Sequence, residues 1–68
     1  MEPSIQEMKS LLEYLIRHNQ DHAAEIMDLA NRAQTLGNAD AFRHIAKGVD
    51  LLNESNESLR AGLAALED

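Results

Sequence analysis

The apolar residues of this chain recur at alternating spacings of three and four over almost its whole length. These spacings are those of the a and d positions of a heptad, which line one side of a helix in a left-handed helical seam. The pattern contains no stretch with a period of two, so we predict an all-α fold. The a and d series consists of Ile5, Met8, Leu12, Leu15, Asn19, His22, Ile26, Leu29, Ala33 and Leu36, followed by Phe42, Ile45, Val49, Leu52, Asn56, Leu59, Leu63 and Leu66.

Helix-boundary signals divide the series once. Ser4 begins an S-x-x-E capping box that ends at Glu7, which is typical of a helix start. Gly37 followed by Asn38 is typical of a helix end and of the start of the next helix. We therefore predict a single domain over residues 1–68, with helices at about 5–36 and 39–66 and a turn at 37–38. The predicted architecture is an antiparallel two-helix hairpin.

A lone hairpin of this size has too small a core. Ordering its 68 residues costs on the order of 100 kcal/mol, and one seam buries too little apolar surface to offset that cost. Leu11 and Ile16 add apolar surface beside the first series, and Ala23 and Ala30 continue it. We therefore predict a homodimeric four-helix bundle, with another helical protein as an alternative partner. A row of small residues that permits close helix approach recurs every seven positions in the second helix: Ala41, Gly48, Ser55 and Gly62.

Composition excludes several classes of function. The chain has no cysteine, and its net charge of −6 repels the phosphates of nucleic acids. Its apolar runs are far shorter than a membrane span, and no basic and apolar signal segment opens the sequence, so we expect a cytoplasmic protein that does not insert into membranes. No Gly-rich phosphate loop or Ser/His/Asp set is present, so we expect no enzymatic activity.

Three polar residues interrupt the series: Asn19, His22 and Asn56. Antiparallel pairing about the turn predicts that His22 lies opposite Asn56, with Asn19 one turn away. Buried polar groups must bond one another, a partner chain or water. Such a layer either fixes helix register, as a single polar a position does in coiled coils, or forms a ligand pocket.

A second set of polar residues has metal-ligand spacing. His18, His22 and Glu25 lie at i, i+4 and i+7, so they share one strip of the first helix. Two imidazoles at this spacing can chelate one divalent ion, and the carboxylate can add a third ligand. The alternative is structural, with His22 bonded in the seam and His18 at its boundary. The fold requires no cofactor in either case.

A third histidine suggests another chemistry. His44, Lys47 and the following glycine resemble the H-x-x-K-G core of histidine phosphotransfer domains, in which an exposed helical histidine carries the phosphoryl group. Helical-hairpin phosphotransferases that dimerise carry the histidine on the first helix after an arginine, similar to Arg17 and His18. Those proteins place an acidic residue next, where this chain has Asn19. Histidine phosphotransfer is therefore the alternative functional hypothesis.

The combined motifs resemble a small uncharacterised microbial helical-hairpin domain. The resemblance covers about residues 8–66 and rests on Leu12-x-Tyr14, His18-Asn19-x-x-His22-Ala23-x-Glu25-Ile26 and Asn56-Glu57-x-Leu59. Many members carry a histidine-rich tract ahead of the hairpin, which implies a link to nickel, cobalt or zinc. These 68 residues contain no such tract, and they have Asp21 where many members have another histidine. The resemblance thus implies a dimerising scaffold in which His18, Asn19, His22, Glu25 and Asn56 are the positions to test.

Overall fold

The computed structural model describes residues 4–66, which form two antiparallel α-helices. Helix α1 spans Ile5–Thr35 and helix α2 spans Ala39–Ala65. The molecule measures 51 × 17 × 15 Å, so it is a rod about two helices wide. This architecture confirms the predicted all-α hairpin. Neither helix combines the length and apolar character that crossing a bilayer requires.

The helix ends follow the local sequence signals. The Ser4 hydroxyl accepts a hydrogen bond from the backbone N–H of Glu7 at 3.2 Å, which caps α1. At the other end, Asn38 N–H donates to Ala33 C=O at 2.9 Å and Gly37 N–H donates to Gln34 C=O at 3.0 Å. This pair of bonds is a Schellman motif, which requires a left-handed residue. Gly37 meets that requirement with φ of +88°, so the chain reverses directly into α2.

The seam on α2 is the predicted one. Val49 and Asn56 are buried at its centre. The other members of the series are partly buried along the same side: Phe42, Ile45, Leu52, Leu59, Leu63 and Leu66. The heptad spacing therefore predicted the contact side of α2 correctly.

The seam on α1 corrects the sequence prediction. Every second member of the predicted series lies in the seam, but the intervening positions are shifted by one residue. Ile16, Ala23 and Ala30 are the buried residues of α1, in place of Leu15, His22 and Leu29. Alanine side chains at the contact let the helix axes approach closely, because each adds only one methyl group between them. The observed orientation of α1 thus buries Ile16 and two alanines in the seam and leaves Leu15 and Leu29 outside it.

The larger apolar side chains of α1 form a separate exposed row, which we call the α1 stripe. Its members are Met8, Leu11, Leu15, Leu29 and Leu36. Leu29 is 55% exposed and Leu36 is 78% exposed. Successive members of the stripe are 3, 4, 14 and 7 residues apart, which keeps them on one side of α1. The hairpin therefore has a second heptad surface that α2 does not cover.

Candidate functional site

The polar layer of the seam consists of two asparagines, of which Asn56 is buried and Asn19 is partly buried. Asn56 is 2% exposed, and its Nδ2 donates to the carbonyl oxygen of Ile16 at 2.9 Å. Its Oδ1 accepts from Nδ2 of Asn19 at 3.0 Å. Within the described residues, no buried side-chain nitrogen or oxygen lacks a hydrogen-bond partner. These bonds place Asn19 opposite Asn56 and satisfy the buried amide of Asn56 across the seam.

His22 lies outside this layer, which corrects the expectation that it faces Asn56. Its side chain is 50% exposed, because the rotation of α1 places Ala23 in the seam instead. The Nε2 atom of His22 lies 2.9 Å from the Nε2 atom of His18. The two rings meet edge to face, with centroids 4.3 Å apart. One imidazole therefore donates a hydrogen bond to the other across a single turn of helix.

Two neighbours hold this histidine pair in place. The ring of Tyr14 stacks on His18, with centroids 5.6 Å apart and planes inclined by 15°. Oε2 of Glu25 lies 3.6 Å from Nδ1 of His22. The four side chains form a continuous row on the exposed side of α1. The Nε2 atoms converge within this row, while the outer ring nitrogen of His22 faces a carboxylate.

This geometry separates the predicted metal ligands into two groups. His18 and His22 point their Nε2 atoms at a common position, as the i, i+4 spacing predicts. Glu25 approaches the opposite side of the His22 ring. Within residues 4–66, no three histidine, aspartate or glutamate side chains are gathered closely enough to hold a metal ion. One hairpin thus supplies a bidentate pair of imidazoles.

The histidine pair lies in the middle of the α1 stripe. Leu15 precedes His18 by one turn, and Leu29 follows His22 by two turns. The heptad pattern did not indicate that the pair and these leucines share a surface distinct from the seam. The available signal was the run of neighbouring apolar residues, such as Leu15 with Ile16, because adjacent positions on a helix point about 100° apart. Such pairs predict two apolar sides rather than one.

The residues of the phosphotransfer hypothesis lie on α2. His44 and Lys47 are both exposed and are separated by about one helical turn. Their exposure is compatible with phosphoryl transfer, but it is shared by most polar residues of the hairpin. This placement therefore leaves phosphotransfer as a prediction.

Comparison with known proteins identifies the domain type. The family profile of the domain of unknown function DUF8180 matches residues 8–66, which covers most of the chain. No curated protein and no solved structure matches the sequence. The matched region contains the seam, the asparagine layer and the histidine pair. The chain therefore belongs to the DUF8180 family of domains of unknown function.

Proposed function

We propose that this hairpin is a non-catalytic self-association module, in which two copies pack through their α1 stripes into a four-helix bundle. The observation that carries the proposal is the exposure of the α1 stripe. Its large apolar side chains are ordered along one side of a helix, as in the seam that α2 already covers. Burial of a second such row needs a second helical surface.

The hairpin exposes more surface than a compact monomer of its size, and the excess is similar to the area that one partner buries in a stable dimer. A compact monomer of this size exposes about 4,300 Å². The hairpin exposes 5203 Å², so its excess is roughly 900 Å². A stable protein interface buries about 800 Å² on each partner. One additional hairpin is therefore sufficient to cover the excess.

The open side of the hairpin is suited to a copy of itself. The small row Ala41, Gly48, Ser55 and Gly62 belongs to α2, and helical periodicity places it on the same side of the hairpin as the α1 stripe. A Cβ atom added at Gly48 or Gly62 meets nothing within 4 Å, so this row lies open. In an isologous dimer the α1 stripe packs on its own copy, and the small row lets the two α2 helices approach closely.

The polar groups of the seam support a structural rather than a catalytic role. The amide of Asn56 uses both its oxygen and its nitrogen in contacts across the seam. Such bonds stabilise one alignment of the helices, which a self-association module needs in order to present a regular surface. The histidine pair lies within the proposed interface.

Sedimentation equilibrium of the untagged chain tests the proposal. We expect a dimer for the native protein and a monomer for Leu29→Glu at the same concentration. Each dimer loses two buried leucines, each worth about 1.5 kcal/mol or more, so dimerisation weakens at least about 100-fold. Ala24→Glu is the control, because Ala24 is also exposed on α1 but lies about 140° around the helix from Leu29, away from the stripe.

Three results refute the proposal. A native chain that stays monomeric at all accessible concentrations removes self-association and leaves another helical protein as the partner of the stripe. A Leu29→Glu variant that remains dimeric places the interface elsewhere. Equal loss of the dimer in Leu29→Glu and Ala24→Glu removes the specific role of the α1 stripe. Far-UV circular dichroism of each variant distinguishes dissociation from unfolding.

A further inference from the structure

We propose that one divalent metal ion of the zinc type binds at the centre of the dimer, held by the Nε2 atoms of His18 and His22 from both copies. This inference rests on the proposed self-association, because one hairpin supplies two imidazoles and a tetrahedral site needs four ligands. The second copy therefore contributes half of the site.

The spacing of the two rings fits adjacent ligands of one ion. Their Nε2 atoms are 2.9 Å apart. With metal–nitrogen bonds of 2.0–2.1 Å, two nitrogens of a tetrahedral zinc site are separated by about 3.3 Å. A small rotation of either side chain opens the pair to that distance. When the ion binds, the proton between the two rings leaves Nε2 and the donor ring carries its proton on Nδ1 instead, since both ligands must be unprotonated at Nε2.

The neighbours of the histidine pair favour the tautomer in which the proton lies on Nδ1 and Nε2 is free to bind a metal. A histidine that binds a metal through Nε2 commonly donates its Nδ1–H to a carboxylate. Glu25 lies 3.6 Å from Nδ1 of His22, on the side of the ring away from His18. The negative charge of Glu25 stabilises a proton on Nδ1 and so favours a lone pair on Nε2. The stacked ring of Tyr14 restricts the rotation of His18.

The position of the pair along α1 places it at the symmetry axis. Met8 and Leu36, the ends of the α1 stripe, each lie fourteen residues from His22. The small row of α2 is centred between positions 51 and 52, which the pairing of Asn19 with Asn56 places opposite positions 23 and 24. The stripe is therefore centred at His22, and the small row is centred within about 3 Å of that level.

A two-fold axis through this common centre brings each histidine pair against its copy. Residues near the axis of an isologous interface contact their own symmetry mates. The four Nε2 atoms then face one position, with the ligand number of a closed zinc site. The net charge of −6 on each chain also favours a cation at a place where two such chains meet.

Titration of the untagged protein with Co²⁺ and Zn²⁺ tests the shared site. We expect one ion for every two chains, with the intense visible absorption of tetrahedral Co²⁺. Because the complete site exists only in the dimer, metal at a hundred times its dissociation constant should strengthen dimerisation about 100-fold. His22→Ala should lose both effects. His44→Ala is the matched control, since it removes the remaining histidine of the three and should retain both effects.

The outcomes separate this inference from the proposed function. A metal-free dimer that takes up no ion, or takes it up equally well as His22→Ala, refutes the shared site and leaves self-association intact. One ion per chain, without any effect on association, also refutes sharing. A chain that is monomeric without metal but paired by metal through these histidines refutes association by the stripe alone and upholds the site. A chain that remains monomeric with metal refutes both.

Discussion

Replacement of Asn56 tests the role assigned to the asparagine layer. Asn56→Ala removes the hydrogen bonds to Asn19 and to the Ile16 carbonyl, each worth about 1 kcal/mol, from a site that is 2% exposed. With the small cavity added, we expect the free energy of unfolding to fall by about 2–3 kcal/mol per chain. The measurement is urea unfolding followed by far-UV circular dichroism at a fixed chain concentration, since dimer stability depends on concentration.

A leucine at the same position separates register from stability. Burial of leucine contributes about 1.5–3 kcal/mol, so Asn56→Leu should equal or exceed the native free energy of unfolding. Its register should be less uniform, because the polar layer no longer penalises other alignments. Multiple sets of amide peaks in the NMR spectrum would report that loss. The exposed Asn53→Ala on the same helix is the control and should change stability by less than about 0.5 kcal/mol.

One result would refute this reasoning. If Asn56→Leu is destabilised as much as Asn56→Ala, the asparagines act as a coupled network whose energy exceeds two ordinary hydrogen bonds. The layer would then be a determinant of stability rather than of alignment.

Three further predictions concern the seam, the turn and the surface of α2. Ala30 is 0% exposed, so Ala30→Leu should lower the free energy of unfolding by about 1–3 kcal/mol, whereas the same change at exposed Ala24 should not. Equal effects of the two substitutions in chemical denaturation would contradict the burial of Ala30 in the seam. Gly37→Ala should destabilise the hairpin by about 1–2 kcal/mol, because φ is +88° and an added Cβ meets no neighbouring atom, so the cost comes from the backbone alone. Gly37→Asn should lower the melting temperature less than Gly37→Ala does, because asparagine tolerates this conformation better. Incubation with acetyl phosphate should leave His44 unmodified in the intact-mass spectrum, while a phosphohistidine at His44 or His18 would favour the phosphotransfer alternative.

The sequence predicted the hairpin and the contact side of α2 because only one apolar series runs along that helix. It predicted half of the α1 seam and missed the rest. At α1 two neighbouring series are apolar, as with Leu15 beside Ile16 and Leu29 beside Ala30. Spacing alone favours the bulkier series, whereas packing favours the one that lets the helices approach most closely.

The orientation of α1, with Ile16, Ala23 and Ala30 in the seam, also explains which site residues could be predicted. Asn19 and Asn56 lie on positions that both apolar series share, so their place in the seam could be predicted, but the predicted register puts His22 rather than Asn19 opposite Asn56. His22 lies on the series that rotates outward, so its removal from the seam could not be read from periodicity. The i, i+4 relation of His18 and His22 is independent of the rotation, and the convergence of their Nε2 atoms followed from helix geometry.

Thiol cross-linking tests most directly whether a second copy covers the α1 stripe. The chain has no cysteine, and Leu15 and Leu29 each lie seven residues from His22. In the proposed dimer, position 15 of one copy therefore faces position 29 of the other, while equivalent positions are about 21 Å apart along the axis. A short bifunctional reagent should join Leu15→Cys chains to Leu29→Cys chains in a mixture and leave each variant alone unlinked. No product in the mixture, or equal cross-linking of one variant with itself, would contradict the account.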